Sequence, residues 1–293
     1  MKVRKGIILA GGTGSRLWPV TIPICKQLLP VYDKPMIYYP LTTLMFAGIR
    51  DILIITTPMD QPRFQSLLGD GSQWGLNISY EVQNKPDGIA QAFILGEKFI
   101  DGSPCALVLG DNIFYGEGFI RLLGDVDKLS TGAVSFAYYV NDPEHYGIVK
   151  FSNNGKPMAL YEKPTEFQSN WAITGLYFYD RDVVEIAKSI RPSARGELEI
   201  TSVNEVYLQN NNLHVEKLGR GYAWLDAGTH SSLLEAAQFI HSIEQRQGLK
   251  IGCPEEVAYR MKCISAESLE ELIQQCGQPD YAKYLKNVLS MDY

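Results

Sequence analysis

Gly6-Ile7-Ile8-Leu9-Ala10-Gly11-Gly12-Thr13-Gly14-Ser15-Arg16-Leu17-Trp18-Pro19, followed by Lys26-Gln27-Leu28-Leu29-Pro30, decides how this 293-residue chain is read. Ile7 to Ala10 form an apolar run that reads as a first strand, and it empties into a loop with Gly11, Gly12 and Gly14. The bare backbone N–H groups of such a loop can surround a phosphate. Arg16 and Lys26 bring two positive charges to the same end of the strand, so the stretch reads as a triphosphate grip. Two commoner phosphate loops do not fit. A P-loop needs Gly-Lys followed by Ser or Thr, which is absent. A dinucleotide fingerprint needs a third spaced glycine opening a helix, whereas Leu17 occupies that position and Pro19 and Pro23 interrupt any helix. Asp33 lies about 20 residues downstream, where the ribose-binding acid would be, but Pro30 breaks the strand that should present it. A nicotinamide enzyme is therefore a poor reading. A plain turn with a solvated Arg16 stays open for the loop alone.

Outward from this stretch, β-rich runs alternate with helical patterns. Met36–Ala47 reads as helix, Ile52–Thr56 as strand, Gln61–Leu68 as helix, Asn77–Gln83 as strand, Ala90–Phe99 as helix and Ala106–Leu109 as strand. That is the rhythm of a mostly parallel sheet. From Ala133 the strands come closer together, at Ala133–Tyr139, Ile148–Phe151, Ala159–Glu162 and Ile173–Tyr179. Helices at Asp182–Ile190, Glu197–Gln209 and Thr229–Gln247 follow, with Leu213–Lys217 and Tyr222–Leu225 between them, and three short helices close the chain. The expected fold class is α/β, Rossmann-like: a mostly parallel mixed central sheet flanked by helices, with a β-rich portion and C-terminal helices. Residues 1–250 are expected to form the α/β domain, in parts 1–130 and 131–250, and 251–293 a helical extension. Neither a long linker nor an internal repeat is evident.

Lys plus Arg 27 against Asp plus Glu 33 gives a net charge of -6, which argues against general affinity for nucleic acid or an anionic membrane. Five cysteines without a Cys-x-x-Cys pair, and no secretory signal, point to a reduced, cytoplasmic setting. The four histidines, His145, His214, His230 and His241, lack zinc-site spacing and read as surface or core residues. No apolar run reaches the ~20 residues needed to cross a bilayer.

Candidate chemistry sits at strand ends. Asp111 and Asp226 each follow an apolar run directly, where a hard cation could join them, and Mg²⁺ prefers one or two carboxylates completed by phosphate oxygens and water. Either Asp could instead be a turn or N-cap residue. In Tyr161-Glu162-Lys163-Pro164, Glu162 suits sugar hydroxyls and Lys163 an attached phosphate, although an exposed Glu-Lys pair is equally ordinary. Gln83 offers a donor and an acceptor on one amide, the pattern a pyrimidine edge needs, and Gly88 would let backbone approach the base. Pro86-Asp87-Gly88 could also be only a tight turn feeding a helix.

Taken together, these segments resemble the glucose-1-phosphate thymidylyltransferases among the sugar-nucleotide nucleotidyltransferases. The similarity runs from Lys5 to about Met261 through Gly6–Leu17, Lys26–Pro40, Pro86–Ala92, Leu109–Asn112 and Trp224–Asp226. The resemblance implies that Gly11, Thr13, Gly14, Arg16, Lys26, Gln27 and Asp111 hold the nucleotide phosphates, with Gln83, Pro86 and Gly88 around thymine. It implies that Asn112, Tyr146, Gly147, Glu162, Lys163 and Ile173 hold the sugar phosphate, that Asp111 and Asp226 hold Mg²⁺, and that residues 1–130 are the nucleotide-binding part and the β-rich 131–250 the sugar-phosphate-binding part. It further implies a homotetramer with a second nucleotide-sugar site for feedback inhibition, to which Gly116, Arg220, Gly252, Glu256 and Arg260 contribute. Cys25 and Ala227 depart from the family's usual Ser and Thr.

The expected reaction is attack by a phosphate oxygen of glucose 1-phosphate on the α-phosphorus of dTTP, giving dTDP-glucose and pyrophosphate. Arg16, Lys26, Lys163, Asp111 and Asp226 are the expected catalytic groups. A UTP-dependent uridylyltransferase is the nearest rival, because thymine and uracil differ by one methyl, worth about 1–3 kcal/mol in a pocket. A non-catalytic nucleotide-sugar-binding regulatory subunit is the rival from another class.

Overall fold

Successive residues of the first strand face opposite ways, and in the computed structural model of the chain each finds its own core. The structure describes residues 3–12, 14–127 and 131–291. In chain order the first half carries β1 (Lys5–Ala10), the short β2 (Pro30–Val31) and β3 (Lys34–Pro35), α1 (Tyr38–Phe46), β4 (Asp51–Thr56), α2 (Gln61–Leu68) and β5 (Asn77–Val82). It continues with α3 (Gln91–Leu95), α4 (Glu97–Ile100), β6 (Cys105–Leu109), β7 (Asn112–Gly116) and α5 (Phe119–Asp127). The second half carries β8 (Ala133–Tyr139), β9 (Gly147–Phe151), β10 (Pro157–Glu162), β11 (Trp171–Tyr179), α6 (Val183–Ser189) and α7 (Ile200–Gln209). It ends with β12 (Leu213–Leu218), β13 (Tyr222–Asp226), α8 (His230–Gln247), α9 (Pro254–Arg260), α10 (Ala266–Gln275) and α11 (Pro279–Ser290).

The main sheet runs β10-β9-β11-β6-β1-β4-β5, with β8 beside β11 and β12 beside β8. β6, β1, β4 and β5 are mutually parallel, as the alternation of strands and helices requires. β11 joins β6 antiparallel, so the sheet is mixed and its second half is built differently from its first half. Ile8, Ile52, Ile54, Ala106 and Val108 pack with Leu41 and Leu44 of α1 and Phe64 of α2 on one face. Ile7, Leu53, Ile55, Cys105 and Leu107 pack with Phe93 of α3 and Val183 of α6 on the other. Both faces are covered, which is why these strands read as unbroken apolar runs rather than alternating ones.

Three differences from the expected elements have local causes. The helix expected over Ala90–Phe99 breaks at Gly96, where a Cβ would lie 3.2 Å from Leu53 and 3.4 Å from Ile7, so the chain passes the sheet at close range. The helix expected from Glu197 starts at Ile200, because Glu199 is extended and Leu198 pairs with the 87–90 loop. β7 and α5 have no counterpart in the expected elements; β7 forms a separate antiparallel ribbon with β13, in which Asn112 sits opposite Asp226. At the C-terminus, Val257 and Ala258 of α9 join the core over α1, while Leu269, Ile273, Leu285 and Val288 form a small cluster of their own.

Candidate functional site

The carboxyl ends of β1 and β6 lie side by side, and there the glycine loop meets Asp111: Gly110 N–H donates to Leu9 O at 3.0 Å. Open α/β sheets present their ligand crevice at such ends. Gly14, at φ 62, turns the loop into the short helical turn Ser15–Leu17 that carries Arg16, and Thr21 Oγ1 donates to Gly14 O at 2.9 Å. A second turn, Lys26–Leu28, carries Lys26, whose ammonium pairs directly with Asp111. The β7–β13 ribbon brings Asp226 to the same place, with Ala227 N–H donating to Asp111 O at 3.1 Å. Arg16 completes the group, its guanidinium packed at Gly228 beside Asp226, where a Cβ would collide with it.

The two carboxylates divide electrostatically. Burial pushes the Asp111 carboxyl up, but the charge and hydrogen bond of Lys26, joined by hydrogen bonds from the Asn112 amide and the backbone, together hold it below the usual carboxylate range. Burial and the charge of Asp111 push Asp226 up to about 6, against the opposing pull of Lys26, Arg16 and Lys163. All three cations therefore act on one carboxylate from separate elements. Among the described residues, no group of three or more His, Cys, Asp or Glu side chains gathers that could hold a metal. Asp111 and Asp226 offer hard carboxylate oxygens whose burial and mutual repulsion raise Asp226, which fits a divalent cation that takes the rest of its shell from phosphate and water.

The residues expected to hold the sugar phosphate close the same cleft. Its lining includes eleven of the expected residues: Arg16, Lys26, Gln27, Asp111, Asn112, Tyr146, Gly147, Glu162, Lys163, Ile173 and Asp226. Asn112 is committed to scaffolding, since its Oδ1 accepts from Gly175 N–H at 3.0 Å and Trp224 Nε1–H at 2.6 Å while its amide donates to Asp111 at 3.1 Å. Burial and Asp226 push the Tyr146 phenol up to about 12, so it stays a neutral donor. Lys163 adopts φ 42, a left-handed conformation rare outside glycine, and its N–H donates to Tyr146 O at 3.1 Å. That bend turns the Lys163 side chain out of the β10 alternation. Gln27 is 2% exposed, and its Oε1 has no hydrogen-bond partner.

Gly11, Gly14, Gln83, Pro86 and Gly88 do not line this cleft. Gln83 is buried directly behind Gly11, and its amide donates to Gln91 Oε1 at 2.6 Å. Gly88 lies against the backbone of Leu198. Thr13 lies outside the described residues. His145, expected at the surface or in the core, lines the cleft, as do Trp224 of the Trp224–Asp226 segment, Tyr177 and Thr201, and Arg195 Nη2 reaches Glu162 at 3.1 Å. No motif marks Tyr177, Arg195 or Thr201; β11 brings the first and residues 193–201 the other two. A second cavity of about 450 Å³, beside α1 and α9, gathers Gly116, Gly252, Glu256 and Arg260, but Arg220 does not line it.

Known proteins resemble this chain over most of its length. Residues 5–243 match the family model described as nucleotidyl transferase. The chain is 58% identical over 285 residues to a glucose-1-phosphate thymidylyltransferase of Xanthomonas campestris pv. campestris, covering 97% of each chain. It is 56% identical to the enzyme of that name from Mycobacterium tuberculosis, covering 97% of this chain and 99% of that one. Among solved structures, a putative glucose-1-phosphate thymidylyltransferase from Bacillus anthracis superposes with a TM-score of 0.74 at 42% identity, covering 81% of this chain and 95% of its own. A UDP-glucose pyrophosphorylase, at 22% identity and a TM-score of 0.71, shares the fold.

Proposed function

Because the chain belongs to the nucleotidyl transferase family, we propose that it transfers a thymidylyl group from dTTP to glucose 1-phosphate, releasing pyrophosphate and forming dTDP-glucose. One observation carries the reading: Arg16, Lys26 and Lys163, from three separate elements, face the Asp111–Asp226 pair across a single cleft. The barrier to this reaction is the mutual repulsion of two anions. The attacking phosphate monoester has a second pKa of about 6 and is already mostly dianionic at neutral pH, so it needs no general base. Positioning and charge neutralisation supply most of what is left.

Arg16 takes the leaving pyrophosphate, and Lys26 the α-phosphate side. Lys163 receives the incoming phosphate, and Glu162 accepts from sugar hydroxyls. Gly12 lines the cleft, and the same turn through Gly11 and Gly14 continues past it to supply backbone donors to the triphosphate, with Gln83, Pro86 and Gly88 outside the cleft on the side of the base. Members of this family use a divalent metal; Mg²⁺ suits the two carboxylates here, and when bound it would offset charge on the α-phosphate oxygens. The second cavity suits a nucleotide-sugar effector within a homotetramer, and the unpaired thiols of all five cysteines suit a reducing, cytoplasmic setting.

The deciding experiment is a matrix of nucleoside triphosphates against hexose 1-phosphates, read as phosphate after pyrophosphatase. The dTTP and glucose 1-phosphate pair should give the highest kcat/KM, with UTP following within the ~10–200-fold that one methyl allows. Release confined to another pair would displace the assignment.

A further inference from the structure

Residues 193–201 touch both halves of the cleft. Leu198 N–H donates to Asp87 O at 2.7 Å, and Leu198 O accepts from Ala90 N–H at 3.0 Å, so the strap is pinned to the base-side loop as a strand would be. Gly88, at φ +111, makes this possible, since a side chain there would strike the Leu198 backbone. One residue further on, Glu199 is 5% exposed and accepts from Ser193 Oγ at 2.7 Å and from Arg195 Nη2 at 2.9 Å. The same Arg195 nitrogen donates to Glu162 Oε1 at 3.1 Å, and Thr201 Oγ1 donates to Glu162 Oε2 at 2.6 Å. Both oxygens of the sugar-side carboxylate are thus held by a segment whose middle is bonded to the base-side loop. Glu199 itself does not line the cleft.

We propose that Glu199 is a positioning residue: by clamping Arg195 within this strap, it ties the orientation of Glu162 to the conformation of residues 87–90, and so couples the nucleotide and sugar-phosphate subsites. The inference rests on the thymidylyltransfer reading above. A nucleotide that orders the 87–90 loop also orders Leu198, and through Glu199 and Arg195 it sets Glu162 before the sugar arrives. The coupling is reciprocal, because each ligand changes the other's affinity by the same factor.

The test is calorimetric binding of glucose 1-phosphate with and without α,β-methylene-dTTP and Mg²⁺, alongside initial-rate kinetics. Wild type should bind the sugar phosphate about 10-fold more tightly when the analogue is present, within the usual range of such couplings. Glu199→Gln keeps the side-chain volume and removes the charge; it should bring that factor to within about 2-fold of unity and raise KM for glucose 1-phosphate more than it lowers kcat. Ser193→Ala, on the outer stretch of the strap, should give an intermediate factor, and it carries the test if Glu199→Gln unfolds. Wild-type coupling near unity, or full coupling in a folded variant, would overturn the inference. Pyrophosphate release by wild type separates the two levels: if release is absent the functional reading and the strap both fail, and if release is present with coupling unmoved only the strap fails.

Discussion

Replacing Asp226 by Asn leaves its shape almost unchanged and removes the charge on which Arg16, Lys26 and Lys163 converge. Asp111→Asn removes the partner that Lys26 holds. Either change should lower turnover at least ~100-fold, the scale of losing one charge-stabilising contact, measured as pyrophosphate release on folded protein. Lys163→Ala should act differently. Its ammonium is assigned to the incoming phosphate, so KM for glucose 1-phosphate should rise well above any change in KM for dTTP when each substrate is varied in turn. The sequence placed these three residues as candidates from residue type and position at a strand end. Arg195 and Thr201 could not, because neither lies in a phosphate-loop or metal-ligand pattern, and each matters only through its contact with Glu162.

Between elements, a buried polar knot holds the β2–β3 hairpin, the end of α8 and the chain after it. Lys34 is 2% exposed and pairs with Asp33 and with Glu244, the latter at 3.0 Å. Lys250 pairs with Asp33, and Glu244 accepts from Ile251 N–H at 2.8 Å. Burial alone would raise the Asp33 carboxyl, but Lys34 and Lys250 outweigh it and hold it below the usual range. A carboxyl lowered in the folded state contributes stability above its unfolded value, about 3.9, and that contribution is lost as pH falls below it. Asp33→Asn should therefore cost more stability at pH ~7 than at pH ~3, by urea unfolding. A constant difference at both pH values would contradict the assignment. At the other end of α8, Thr229 and Ser232 form a reciprocal cap, worth about 1 kcal/mol. It starts the helix directly after the turn that carries Asp226 and Gly228.

Across the whole molecule, the residues after Gly252 dock through polar contacts as well as an apolar cluster. Trp74 Nε1–H donates to Glu255 at 3.3 Å, Tyr281 OH donates to the other oxygen of Glu255 at 2.7 Å, and Tyr284 OH donates to Glu256. Deleting the chain from Gly277 onward would uncover Leu269 and Ile273 and strip both glutamates of their tyrosine partners. The truncated protein should unfold at a lower temperature yet still bind glucose 1-phosphate, because among the described residues the proposed substrate cleft draws none from this region. The amino-acid sequence by itself determined the strand and helix alternation, the glycine turn and the acids at strand ends, since apolar periodicity, chain-breaking residues and turn chemistry act over a few neighbours. Only the tertiary structure decided that β11 enters antiparallel, that the β7–β13 ribbon sets Asp226 opposite Asn112, and that residues 193–201 strap the 87–90 loop to Glu162. Those pairings join segments far apart in the chain, and their energies appear only once both faces of the sheet have been covered.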